Sequence, residues 1–314
     1  LAAQSERPVR FRFGEPVSAK PLQRMRAFAL ETSKGPVEAD AYVVALGPQT
    51  AAFGRALGRR LPIYPVKGFS PEALDRTDLA PGMTVPWDRA FAVENGASGF
   101  DPASPGYFPK IRFLMLMKNA GVARLSTRFD PESRHFTIME DGVLQAEGRL
   151  DTADGRAAIE TFLAGRFADE LRGAPRILAA PGHSFSDVAA KVLHLVNLDS
   201  LRDLERQLGR PVDPLRFRAN LYVEGLPAWS EFDLVGRTIA GPGVAFEGVK
   251  RTERCAATNV APTTGERDMT LPRSLMGLYG HTDFGIYVRV TRGGALSVGD
   301  RLAADLPQRT GDLP

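Results

Sequence analysis

Apolar and polar residues alternate in short runs along most of this chain, a period that suits strands. Near the start, Val9–Phe13, Met25–Glu31 and the wholly apolar Ala41–Leu46 each predict a strand, the last buried on both faces. Thr50–Leu57 predicts a short helix. From Leu61, Pro62 and Pro65 punctuate a β-prone texture that runs through "YPVKGFSPEAL" and "PGMTVPWDRAFAV". Four strand-sized runs follow: "RFLMLM", "VARLSTRF", "HFTIME" and "VLQAEGRL". Helical spacing is confined to residues 155–171 and 199–208, the second with Asp199 or Asp203 as its expected cap. After Gly209 the short strands return in "RFRANLYVEG", "TIAGPGVAFEGVKRTERC" and "FGIYVRVTRGGALSVGDRL", and Gly293-Gly294 reads as a hairpin turn. The texture changes near residues 62 and 175. It predicts a mainly β chain with some α (α+β): an α/β fragment over 1–60, then two β-rich units over 61–175 and 176–308.

With 314 residues, 43% of them hydrophobic and 25% charged, the chain has material for two or three cores and the charge of an ordinary globular protein. A net charge of only +3 provides no polycationic tract, so no nucleic-acid partner is expected. No apolar run reaches bilayer length, and no charged-then-apolar leader opens the chain, so no membrane partner is expected either. The first residue is Leu1, so the native N-terminus is expected to be missing or processed. A single cysteine excludes an internal disulfide and any four-cysteine cluster, and a reducing cytoplasmic location is the simplest expectation.

That cysteine, Cys255, stands between Arg254 and a Thr/Asn/Pro/Gly-rich stretch. By itself it reads first as a small packed side chain, the usual case for a lone cysteine, and second as a thiolate for a soft metal. An adjacent arginine favours the thiolate by opposing its charge. The four histidines have no zinc spacing, and neither a nucleophile elbow nor a phosphate loop is present.

Residues 61–305 resemble two-part MOSC proteins, the molybdenum-cofactor-binding family that includes the amidoxime-reducing component. The resemblance rests on "YPVKGFS" and "VPWDRAFAV", and then on "HSFSDVAAKVLHLVNLDSLRDL", "RFRANLYVEG", "ERCAATNVAPTTGERD", "FGIYV" and "GGALSVGD", in that order. It implies a MOSC N-terminal β-barrel over 61–175 followed by the MOSC domain proper over 176–308. Residues 9–70, through "ADAYVVALGPQTAAFGRALGRRLPIYPVKGFS", resemble instead the middle of FAD-dependent D-amino-acid dehydrogenases. The two resemblances overlap at "YPVKGFS". The dehydrogenase family needs a G-x-G-x-x-G cradle for FAD, and the chain has none, so FAD is not expected to bind.

What the MOSC resemblance implies is a molybdenum cofactor (molybdopterin) with Cys255 as metal ligand and catalytic residue. Lys67, Arg89, Arg218 and Arg254 would serve the cofactor's anionic and polar groups, and Asn220 its pterin ring from the strand face it is expected to share with Arg218. Asn197, Ser200 and Glu253 are further cofactor contacts, and Tyr287 would lie over the cofactor edge. The family more often has serine and cysteine after the lysine, where Gly68 and Phe69 stand here. The implied activity is a molybdenum-dependent oxidoreductase that reduces N-oxygenated small molecules or transfers an oxygen atom. Without further cysteines, its electrons would come from a separate reductase or ferredoxin-like partner. The alternatives are a non-catalytic cofactor carrier and a remnant of a D-amino-acid dehydrogenase.

Overall fold

A computed structural model describes residues 60–304, together with the backbone of three earlier strands, β1 (Val17–Pro21), β2 (Phe28–Thr32) and β3 (Gly35–Glu38), which pair antiparallel in that order. The predicted strand at 25–31 coincides with β2. The strands expected at 9–13 and 41–46 and the helix at 50–57 lie outside the described residues.

The first β-rich unit is built from small sheets. β4 (Leu61–Ile63) pairs with β5 (Glu72–Leu74). After β6 (Arg76–Leu79) and β7 (Phe91–Val93) comes a three-stranded meander: β8 (Leu125–Phe129), β9 (His135–Glu140) and β10 (Val143–Arg149). Helix α1 (Ala153–Arg166) closes the unit, with Thr152 capping its start by accepting a bond from the Gly155 amide. Phe69, Phe129, Phe136, Ile159, Leu163 and Phe167 fill the core between helix and meander. "RFLMLM" is not a strand. Lys110–Arg112 forms a tight turn, and the following Phe113 and Leu114 bury their side chains from a loop.

The second unit opens with β11 (Ile177–Ala179), which pairs back onto β7, and continues with β12 (Leu193–Asn197) and helix α2 (Leu198–Leu208). Its cap is Asn197, not Asp199 or Asp203: the Asn197 side chain accepts from the Asp199 amide at 3.0 Å. The chain then forms β13 (Leu221–Val223), β14 (Thr238–Ala240), β15 (Ala245–Glu253), helix α3 (Leu271–Tyr279), β16 (Asp283–Arg292), β17 (Gly294–Ser297) and β18 (Ala303–Ala304). Six of these strands make one curled sheet, a half-barrel in the order β13-β12-β16-β15-β14-β18. The register shifts along β15–β16 let that long pair bend, as bulges do.

The Gly293-Gly294 hairpin does not form. β17 pairs with β6 of the first unit instead of folding back on β16. Gly294 has φ +148°, and a side chain there would strike the Gly243 carbonyl, so the glycine serves a close crossing rather than a two-strand turn. The two units also share a core: Leu61, Ile63 and Leu79 pack with Leu195, Phe246, Ile286 and Val288 inside the half-barrel. Among the described residues no helix is long and apolar enough to cross a membrane.

Candidate functional site

Where the first unit meets the half-barrel, a cavity of about 420 Å³ opens. One wall begins at Tyr64. Its amide donates to the buried Asp88 carboxylate at 2.8 Å, and its carbonyl accepts from the Arg89 amide at 2.8 Å. Val66 bridges to Phe91, and the Lys67 amide donates to the Phe91 carbonyl, so the turn that carries Lys67 is clamped. Gly68 then adopts φ +91°, a conformation that a serine at this position would strain, while Phe69 drops into the core.

Lys67 is 5% exposed, far from the solvated lysine an isolated turn would give. Its ammonium donates to the Phe185 carbonyl at 2.8 Å and pairs with Asp187. Burial lowers the Lys67 pKa, with Asp187 opposing. Burial also works against charge on Asp187, but the Lys67 ammonium outweighs it and holds the carboxyl well below the usual carboxylate range.

Arg89 and Arg218 both occupy left-handed backbone, at φ +54° and +52°. For a residue with a Cβ this costs on the order of 1 kcal/mol or more, and it is tolerated where the surroundings force it. Arg89 pairs with Asp88 and donates to the Arg218 carbonyl at 3.1 Å. Arg218 stacks its guanidinium 4.0 Å from the centre of the Tyr64 ring, yet its Nη2 is buried with no hydrogen-bond partner among the described residues. Burial brings the Arg218 pKa down to about 10, so the group remains a cation at neutral pH, stripped of water and short of an acceptor.

The opposite wall comes from the end of β15. Arg254 donates to the Phe217 carbonyl at 2.9 Å and leaves its buried Nε unpartnered among the described residues, and burial lowers its pKa. Cys255 follows, half-buried, at the head of a tight turn whose Thr258 amide and hydroxyl both return to its carbonyl. Lys110 reaches this place from the first unit. Burial works against its charge, but Asp187 and Cys255 more than offset that and raise its pKa. Eight lysine and arginine side chains line the cavity against three carboxylates, Asp187, Glu253 and Asp283. The cavity lining is thus strongly cationic, a field that favours an anionic ligand.

The residues singled out in the sequence divide cleanly. Lys67, Arg89, Arg218, Asn220, Glu253, Arg254, Cys255 and Tyr287 all line this cavity. Asn220 does so from a different local structure than expected. Arg218 closes a short 3-10 turn over Pro214–Phe217 and the strand begins only at Leu221, so the two share no strand face. The Asn220 amide is also committed, donating to the Pro62 carbonyl and accepting from the His194 amide. Asn197 and Ser200 do not line the cavity. Both are fully buried and turn toward Glu231, to which Asn197 donates at 3.1 Å and Ser200 at 2.7 Å. Their polar atoms serve the helix start and that carboxylate instead of the cavity. Sequence reasoning missed Lys110, Asp187, His194 and Lys250, which the fold brings to the same walls. Only Asp187 had a local signal, within "HSFSD". No cluster of histidine, cysteine and carboxylates with metal-binding geometry occurs among the described residues.

Comparison with known proteins divides the chain along the same lines. Two D-amino acid dehydrogenases match its N-terminal segment: number 2 of Mesorhizobium japonicum, 43% identical over 77 residues, and that of Cereibacter sphaeroides, 46% identical over 78. Each match takes in 24% of this chain and spans only 18% of the relative. Among solved structures, the YuaD protein from Bacillus subtilis is similar over 80% of this chain and 96% of its own, at 16% identity and a TM-score of 0.38. The family model of the MOSC domain matches residues 180–303, the stretch that holds β12 to β17 and Cys255. The chain therefore carries a MOSC domain, of a family associated with the molybdenum cofactor, behind a segment similar in sequence to D-amino acid dehydrogenases.

Proposed function

We propose that this chain is a molybdenum-cofactor-dependent oxidoreductase of the cytoplasm that reduces N-oxygenated compounds or transfers an oxygen atom. One observation carries the reading: Cys255 opens into a cavity walled by cations, two of which, Arg218 and Arg254, have buried nitrogens without partners among the described residues. Unpaired buried donors are costly, and an anionic ligand relieves them. The residues present fit a phosphate-bearing pterin with a thiolate-bound metal. Arg89, Arg218 and Arg254 would hold the phosphate and ring edge, Lys67 would fix the turn beneath it, and Cys255 would ligate the metal. Tyr287 and Glu253 would border the entrance. Bound there, the cofactor would supply a two-electron redox centre.

The chain's own part is to bind, orient and exclude water. Lys110 and Arg254 place two cationic side chains beside Cys255. The Lys67–Asp187 pair ties the loop at 183–188 to the first unit, so the site would work only with residues 61–175 and 176–308 both in place. Electrons would arrive from a separate reductase or ferredoxin-like protein.

Protein purified from a host that makes the cofactor should contain about one molybdenum per chain and release an oxidised, fluorescent pterin. Cys255→Ser should lose most of the metal while keeping its fold. Protein free of both metal and pterin would overturn the proposal, and metal-loaded protein that fails to turn over an N-hydroxylated compound with an artificial reductant would restrict it to a carrier.

A further inference from the structure

Beside the first cavity lies a second, of about 330 Å³. The two share Asp187, Val188, Val192, Lys250 and Tyr287, so they adjoin along that partition. Their chemistry differs. Away from the partition the second cavity is lined by Ala189, Ala190, Val249 and Tyr107, an apolar wall with one phenol. Four polar side chains line it: two are committed, Asp187 to Lys67 and the Tyr107 hydroxyl to the Asp187 carbonyl at 3.2 Å, and a third is the phenol of Tyr287. The fourth is Lys250. Its ammonium lies 6.0 Å from the Tyr287 ring centre, and among the described residues it has no carboxylate within ion-pair distance. Glu247, one turn of strand away, is engaged with Arg289.

We propose that this second cavity holds the substrate and selects small molecules that join an apolar or aromatic body to a carboxylate. The body lies on Val188, Val192 and Val249, the carboxylate pairs with Lys250, and the reactive end points across the partition toward Cys255. A cation placed there meets an unpaired ammonium, and a purely apolar ligand leaves that ammonium desolvated, so both are disfavoured. The proposal rests on the reading that the first cavity is the cofactor's.

Benzoate, benzamide and benzamidinium share a ring and differ in charge. Their binding to the purified full-length protein is measured by ligand-observed NMR, with molybdenum and pterin content assayed on the same samples. Benzoate should bind about fivefold more tightly than benzamidinium, the size of one partly exposed ion pair. Lys250→Glu should reverse that order, Lys250→Met should level it, and Val249→Trp should weaken all three ligands by filling the apolar wall. Cofactor content should not change in any of them. Equal binding of the three ligands, or an order that survives Lys250→Glu, overturns the proposal. Loss of pterin in the Lys250 variants also overturns it, because Lys250 then belongs to the cofactor. Protein that lacks molybdenum throughout sinks the cofactor reading alone, and the order of the three ligands still decides whether the carboxylate site exists.

Discussion

Two buried polar clusters lie in this molecule, and they resolve the same difficulty in opposite ways. At the start of α2, Glu231 is fully buried and accepts from both Asn197 and Ser200, and Ser200 in turn accepts from the Trp229 amide at 2.7 Å. One oxygen, Oε1 of Glu231, is left without a partner among the described residues, and burial raises the group's pKa. In the cavity wall, Arg218 and Arg254 also keep buried atoms unpartnered. A carboxyl can answer its deficit by taking up a proton. An arginine cannot lose one at any ordinary pH, so its deficit is met only by an acceptor from outside, for which an anion is the strongest match. The first cluster is closed and structural; the second is open and waits for a ligand.

Breaking the closed cluster should give the largest stability loss. Glu231→Ala strands the Ser200 hydroxyl and one Asn197 donor in a fully buried space, a loss of roughly 2–4 kcal/mol. Glu231→Gln keeps an acceptor for both and should lose less than half of that. Denaturant titration of the two variants checks the pair. Equal losses would mean that bulk, not the acceptor, matters here.

Both clusters were unevenly legible in the sequence. The meander β8–β10 and helices α1 and α2 were readable because local period and packing face agree in them. Helix α3 was not singled out, although Pro272 sits where a helix start tolerates it. "RFLMLM" misled the other way, because an apolar run can be a buried loop as well as a strand. Cys255, Lys67, Arg89 and Arg218 were singled out through blocks shared with a family, not through spacing. Asn197 and Ser200 fell in such a block too, yet one residue of strand-to-helix geometry turns them away from the cavity. Lys110 and Lys250 carry no local mark. Their place depends on how two units approach, which short-range pattern does not encode.

A smaller effect comes from His194, which lines the open cavity and is 4% exposed. Its Nδ1 lies 3.2 Å from the Phe217 carbonyl and its Nε2 3.1 Å from that of Phe284. A neutral ring has one N–H and satisfies one of them; burial, with Arg254 adding to it, nonetheless holds the pKa well below the ordinary value. The folded state thus binds fewer protons than the unfolded one below about pH 6.5. Stability is full above that pH and declines as pH falls, by at most about 1.4 kcal/mol per pH unit for one proton. Burial lowers His183 as well, so a weaker slope of the same sign remains without His194. Denaturation midpoints at pH 7 and pH 5.5 should differ less in His194→Gln than in the wild type; parallel declines would remove His194 as the source.

The smallest change in stability should come from the most consequential site. Arg218→Met removes a guanidinium that stacks on Tyr64, a contact of about 1–2 kcal/mol for a desolvated pair. The same substitution removes the burial of an under-satisfied cation, which is unfavourable by a similar amount. The two nearly cancel, so the ligand-free protein should keep its stability to within about 1 kcal/mol, well short of the loss in Glu231→Ala. The difference appears when an anion is added. Phosphate should raise the Tm of the wild type by occupying the unpaired donors, and a ligand at a hundred times its Kd stabilises by about 2.7 kcal/mol. In Arg218→Met that rise should shrink sharply, while in Glu231→Gln it should match the wild type, because the closed cluster takes no part in anion binding. A phosphate response that survives in Arg218→Met, or falls in Glu231→Gln, would erase the distinction between the clusters. An unpaired arginine would then be as structural as an unpaired carboxyl.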